Sequence, residues 1–165
     1  MTPSDAPTTA ATRNETVFST PSDCELVTTR TFDAPRSLVW AAFTDPKHLP
    51  NWQTGPEGFT MPVCEIDLRA GGSWRYVWRN AHGREFEASG TYREVIPQER
   101  IVTVAGKSGE ENTITTEFAE RDGRTTVTTT NTFGSKASRD QAIPYAKGGT
   151  ASSYTRLDAY LASQK

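Results

Sequence analysis

The stretch Asp67-Leu68-Arg69-Ala70-Gly71-Gly72-Ser73-Trp74-Arg75-Tyr76-Val77-Trp78 decides how the chain is read. It has the form of a strand end, a glycine turn and a second strand. Strand side chains alternate between faces, so Glu65 and Asp67 share one face before the turn, and Trp74, Tyr76 and Trp78 share one after it. A turn that pairs Leu68 with Ser73 sets Asp67 opposite Trp74 and Glu65 opposite Tyr76. The hairpin then presents two carboxylates beside an aromatic wall. A slip of one residue would move the carboxylates to the other face.

Working outward, the strands continue. Pro62 to Arg69 and Ser73 to Arg79 form this hairpin, followed by Glu85 to Val95, Ile101 to Ala105, Asn112 to Glu120 and the threonine-rich Thr125 to Thr132. Asn80-Ala81-His82-Gly83 and Arg121-Asp122-Gly123 carry turn residues, and Gly106 to Gly109 reads as a loop. Upstream, Glu25 to Asp33 is another β-prone run. Asp33-Ala34-Pro35 then opens a helix over Arg36 to Phe43, with Asp33 as its expected cap. Thr44-Asp45-Pro46 starts a second short helix that ends at Asn51. Downstream, Ile143, Thr150, Tyr154, Leu157 and Leu161 form one apolar stripe on a long helix, which Pro144 and Gly148-Gly149 weaken.

These elements predict an α+β fold. A curved seven-stranded antiparallel sheet wraps around a long C-terminal helix, and two short helices follow the first strand. A curled sheet and one helix do not fill the space between them, so a cavity is expected. Met1 to Ser22 is rich in Thr, Ser, Ala and Pro without apolar periodicity and reads as a disordered tail. Residues 23–165 read as a single domain.

The 165 residues carry a net charge of −2 and no basic cluster, which argues against a nucleic-acid partner. No stretch reaches the roughly 20 apolar residues of a membrane span, and the sequence predicts a cytoplasmic protein. Cys24 and Cys64 lie on separate expected strands and read as reduced thiols. His48 falls in an expected helix and His82 in a turn, away from other metal-binding side chains. No metal or cofactor is expected.

In this order, Arg30-Thr-Phe-Asp-Ala-Pro-Arg-Ser-Leu-Val-Trp40, Thr44-Asp-Pro46, Trp52, Asp67-Leu-Arg-Ala-Gly-Gly72 with Trp74, Gly90-Thr-Tyr-Arg-Glu94 and Pro97-Gln-Glu-Arg100 resemble the family of activator of heat-shock protein 90 ATPase homologues. That family sits in the START-like, or helix-grip, superfamily, which also holds polyketide cyclases and lipid carriers. The resemblance runs from Cys24 to the C-terminus and is greatest to the bacterial branch. It implies a helix-grip fold around a cavity for hydrophobic or amphipathic small molecules. It does not imply one activity. Two positions depart from the pattern. Gly149 is followed by the small, polar Thr150-Ala151-Ser152-Ser153 where relatives often carry a large apolar residue, and Asn131 stands where relatives often carry histidine.

The candidate ligand-binding residues are Trp52 and Phe59 at the expected cavity mouth, Trp74, Tyr76 and Trp78 on the aromatic face, and the carboxylates Glu65, Asp67 and Glu87. Asn131, Tyr145 and Tyr154 are further polar candidates. Each aromatic has an alternative reading as core, and each carboxylate as half of an ion pair with a sheet arginine. Three functions follow. The first is a small-molecule binding domain. The second is a cyclase- or hydrolase-like enzyme that works through cavity carboxylates, a tyrosine and water. The third, resting on the family name, is an interaction with an Hsp90-type chaperone.

Overall fold

The computed structural model describes residues 15–106 and 111–164. Residues 1–14 of the expected tail and most of the expected Gly106–Gly109 loop lie outside the described residues. Eight strands form one antiparallel sheet: β1 (Val17–Ser19), β2 (Glu25–Phe32), β3 (Thr60–Ile66), β4 (Ser73–Arg79), β5 (Glu85–Ile96), β6 (Arg100–Ala105), β7 (Asn112–Arg121) and β8 (Arg124–Thr132). Their spatial order is β1-β2-β8-β7-β6-β5-β4-β3.

The sequence predicts seven strands, and the eighth is β1. It falls inside the stretch read as disordered and pairs Val17 with Thr29 and Ser19 with Val27. Three residues carry little hydrophobic pattern of their own. The pairing surface of β2 supplies what they lack, a tertiary effect that local composition does not encode.

Helix α1 (Arg36–Thr44) follows β2, and a single helical turn spans Leu49–Asn51. Pro35, rather than Asp33, is the N-cap of α1, and the Arg36 N–H at its start donates to Glu120 Oε1 of β7 at 3.0 Å. Asp45 does take the turn-starting role expected of it, since Lys47 N–H donates to its Oδ1 at 2.8 Å. Val39 and Ala42 of α1 are buried against Phe32, Leu49 and Trp52. Trp52 Nε1 donates to the Ala42 carbonyl at 2.9 Å and ties the short turn to α1.

The C-terminal helix has three parts: α2 (Lys136–Tyr145), a widened π-type turn over Ala146–Thr150, and α3 (Ala151–Ser163). Ser135 caps α2 through the Ser138 amide. The widened turn follows Pro144, which lacks an N–H and presses its ring on the preceding turn, and coincides with two glycines of low helix propensity. A methyl group at Gly148 would meet no atom within 4 Å. Gly148→Ala should therefore raise stability by about 0.5–1 kcal/mol, read as a higher urea midpoint at unchanged slope.

The core lies between the concave face of the sheet and α3. Phe32, Trp52, Val127 and Leu157 are fully buried there. Phe32 meets Tyr154 edge-on at 5.3 Å, and Phe43 packs on Trp52 at 4.7 Å. One charge is buried in this layer. Arg30 of β2 is 3% exposed and forms an ion pair with Asp158 of α3. It also donates to Thr16 Oγ1 at 2.7 Å.

Candidate functional site: an uncharged cavity

The β3–β4 hairpin has a register one residue away from the expected one. Ile66 pairs with Trp74, Cys64 with Tyr76 and Glu65 with Arg75. The connection is longer by one residue than a Leu68–Ser73 pairing allows. Asp67 N–H donates to the Ser73 carbonyl at 2.9 Å, Arg69 N–H turns back on the Asp67 carbonyl, and Gly71 takes φ +87°. Gly72 then lies so close to the Asp67 carbonyl that a Cβ would sit 2.1 Å from it.

The slip turns the expected carboxylates outward. Glu65 and Glu87 flank Arg75 on the outer face, at 3.7 and 2.7 Å. Asp67 pairs with Arg69 at 2.9 Å. All three carboxylates are exposed, and such pairs contribute little to stability. The expectation that they stand beside the aromatic wall is overturned by the register.

The aromatics face the other way. Trp74, Tyr76 and Trp78 line a cavity of about 570 Å³ between the sheet and the C-terminal helix. Their rings follow one another at 4.9 and 5.8 Å. Trp78 Nε1 donates to the Gln53 carbonyl at 2.9 Å, which fixes the outer end of the wall.

Two cross-strand rows make the floor. Leu26, Asn131, Ile114, Thr103 and Tyr92 are successive partners across β2, β8, β7, β6 and β5. Thr28, Thr129, Thr116 and Ile101 form the next row. Tyr145, Ala146, Gly149, Thr150, Ser153 and Tyr154 form the roof, and Phe43, Leu49, Trp52, Gln53 and Gly55 close one end. The loop at that end is clamped to α3. Ser153 Oγ accepts from Gly55 N–H at 2.9 Å, and Arg156 donates to the carbonyls of Trp52, at 3.1 Å, and Gly55.

The remaining candidates divide. Trp52, Asn131, Tyr145 and Tyr154 border the cavity. Trp52 is a fully buried end wall rather than a mouth residue, whereas Tyr145 is 81% exposed. The Asn131 side-chain carbonyl accepts from Asn112 Nδ2 at 2.7 Å. Phe59 is not in the wall. It packs on the exposed Phe86 at 5.8 Å. Sequence reasoning missed the threonine floor. Its signal was parity: in β8, Thr125, Val127, Thr129 and Asn131 share one face, and Val127 marks that face as the buried one.

Among the described residues, no Asp, Glu, His, Lys or Arg lines the cavity. Burial holds three of its phenols, Tyr76, Tyr92 and Tyr154, neutral. Tyr92 is pushed up to about 12 by burial, with the hydrogen bond from Tyr76 opposing the shift. Tyr154 is also pushed up to about 12 by burial, against the Thr129 hydrogen bond and the Arg30 charge. Tyr76 is raised well above its ordinary value, again mainly by burial. Cys64, opposite Tyr76, is pushed up to about 11 by burial and by Asp45 and Glu65.

All four shifts have the same sign. Above the ordinary values of 9.0 and 10.0 the unfolded chain loses protons that the folded one keeps, so stability is intact below pH 9 and falls as pH rises towards 12. Urea melts at about pH 8, 9.5 and 10.5 should show a falling midpoint, while a flat profile would mean that these groups are solvated.

A curved antiparallel sheet gripping a C-terminal helix, with a cavity between them, defines the helix-grip fold. The family model described as Activator of Hsp90 ATPase homolog 1-like protein matches residues 33–162, and the chain belongs to that family. Similar solved structures include a protein from Rhodobacter sphaeroides, 26% identical over 92% of this chain and 100% of that one, with a TM-score of 0.84. A protein from Nitrosomonas europaea is 24% identical over 88% of this chain and 100% of its own, at a TM-score of 0.79. The AHSA1 protein from Silicibacter pomeroyi is 22% identical over 86% and 99%, at 0.70. These last two show the fold alone. No curated protein matches the chain. No helix among the described residues is long and apolar enough to cross a membrane.

Proposed function

We propose that this protein binds a hydrophobic or amphipathic small molecule in the cavity between sheet and helix. The observation that carries the reading is the cavity itself. Its volume of about 570 Å³ lies within the range that encloses drug-sized ligands, and its wall combines an aromatic row with a few polar side chains. Trp52, Trp74 and Trp78 border it, so three of the four tryptophans report its occupancy.

A titration of tryptophan fluorescence against lipids, flavonoids and aromatic polyketides tests the reading. Saturable quenching that is lost in Trp74→Ala is the expected result, and no saturable response to any of them would contradict it. An enzyme working through cavity carboxylates has no such group in the described wall. The chaperone-activator role rests on the family's name alone, and the cavity favours the small-molecule reading.

A further inference from the structure

The C-terminal helix is held down by a segment far from it in sequence. We propose that residues 16–22 form a strap that keeps this helix on the sheet. When β1 lifts off β2, the helix roof loosens and the cavity opens, while the rest of the sheet stays folded.

The strap is tied to both halves of the helix. In α3, Asp158 forms an ion pair with Arg30, and the same guanidinium donates through Nη1 to Thr16 Oγ1 at 2.7 Å. In α2, Arg139 is 7% exposed and donates through Nη1 to the Ser22 carbonyl at 2.7 Å and to the Glu25 carbonyl at 3.3 Å. Arg139 and Asp158 stand on either side of the widened turn over Ala146–Thr150. With Pro144 just before it and two glycines within it, that turn is the joint at which the helix can bend.

Thr16 decides what kind of ion pair holds α3. Arg30 is 3% exposed, and its Nε has no partner among the described residues. With the strap in place, Thr16 occupies Nη1 and the guanidinium is shut away from water, so its attraction to Asp158 is little screened. With the strap lifted, water reaches Nη1 and Nε. The pair is then a solvated one, of the kind that contributes little.

The strap is also the element most ready to leave. β1 has three residues and lies at the edge of the sheet, paired with β2 alone. Residues 19–23 behind it are exposed. Short, one-sided, solvated elements open far more often than a whole domain unfolds. Phe18 is the aromatic anchor of β1, and it shares a face with its partner Thr28, which borders the cavity.

Amide hydrogen exchange of the full chain, read on peptic fragments, tests the strap. In the wild type, residues 146–163 should exchange at least about 10-fold faster than residues 112–132, because the roof opens without the sheet. Thr16→Val removes the acceptor on Arg30, and Phe18→Ser weakens the strand itself. Each should speed exchange of residues 146–163 by about 5-fold or more. Val102→Ala is the control. Val102 pairs with Thr115 on the face of the sheet turned away from the helix, opposite to that of Ile101 and Thr103. It should speed residues 112–132 about 3-fold and leave residues 146–163 unchanged.

Roof exchange at the wild-type rate in both strap variants would overturn the proposal. So would a roof that quickens in Val102→Ala as much as residues 112–132 do, since it would then open only when the whole sheet unfolds.

Discussion

Gly90→Ala abolishes the native fold or costs it about 3 kcal/mol or more. A methyl group at this position would lie 2.1 Å from the Val104 carbonyl oxygen and 2.8 Å from Trp74 Cζ2. The first neighbour is backbone of the adjacent strand β6 and cannot move without breaking the ladder. The second is a ring 93% buried, by the complement of its 7% exposure. Overpacking alone costs about 1–3 kcal/mol, and a backbone clash adds to it. Gly134→Ala is the control, because its nearest atom, the Glu111 carbonyl oxygen, is 4.0 Å away. Urea unfolding of the two variants should separate them clearly, and equal midpoints would contradict the packing at β5.

Asp158→Ala costs about 3 kcal/mol. Its partner Arg30 is buried between the sheet and α3 and already has an unpartnered Nε. Removing the carboxylate leaves a guanidinium in the core without its counter-charge, and breaking one half of a buried pair typically costs about 3–5 kcal/mol. Asp158 is 24% exposed, which favours the lower end of that range. Replacing both groups, as Arg30→Met with Asp158→Leu, should recover most of the loss, because the pair also bears a desolvation cost. A loss below about 1 kcal/mol in Asp158→Ala would show that water reaches Arg30.

The sequence carried the architecture well, because antiparallel strands announce themselves by alternation and the final helix by its stripe. It failed where spacing depends on a turn. One residue in the Asp67–Ser73 connection moves Glu65 and Asp67 from the cavity side to the solvent side, and alternation alone does not count turn residues. The same limit hid the inward charge. Arg30 sits at an inward position of β2, with Leu26, Thr28 and Phe32, but its partner Asp158 is 128 residues away in sequence. Strand β1 was illegible for a related reason, since its pairing surface belongs to β2. The aromatic wall was legible because Trp74, Tyr76 and Trp78 keep their parity whichever way the turn registers. The threonine floor was legible only in principle, since threonines occupy both faces of β8.

The central claim is that the cavity is where a ligand sits. Thr103 is a half-buried floor residue in the middle of one cross-strand row. In Thr103→Phe an aromatic ring, well suited to a strand, takes up space inside the cavity. The decisive measurement is the stoichiometry and affinity of 7-hydroxyflavone for the wild-type protein and for this variant, with circular dichroism to verify that both are folded. One ligand per chain in the wild type, and binding weakened at least about 10-fold in a folded Thr103→Phe protein, is the predicted result. Undiminished binding to the folded variant would place the ligand elsewhere and contradict the account.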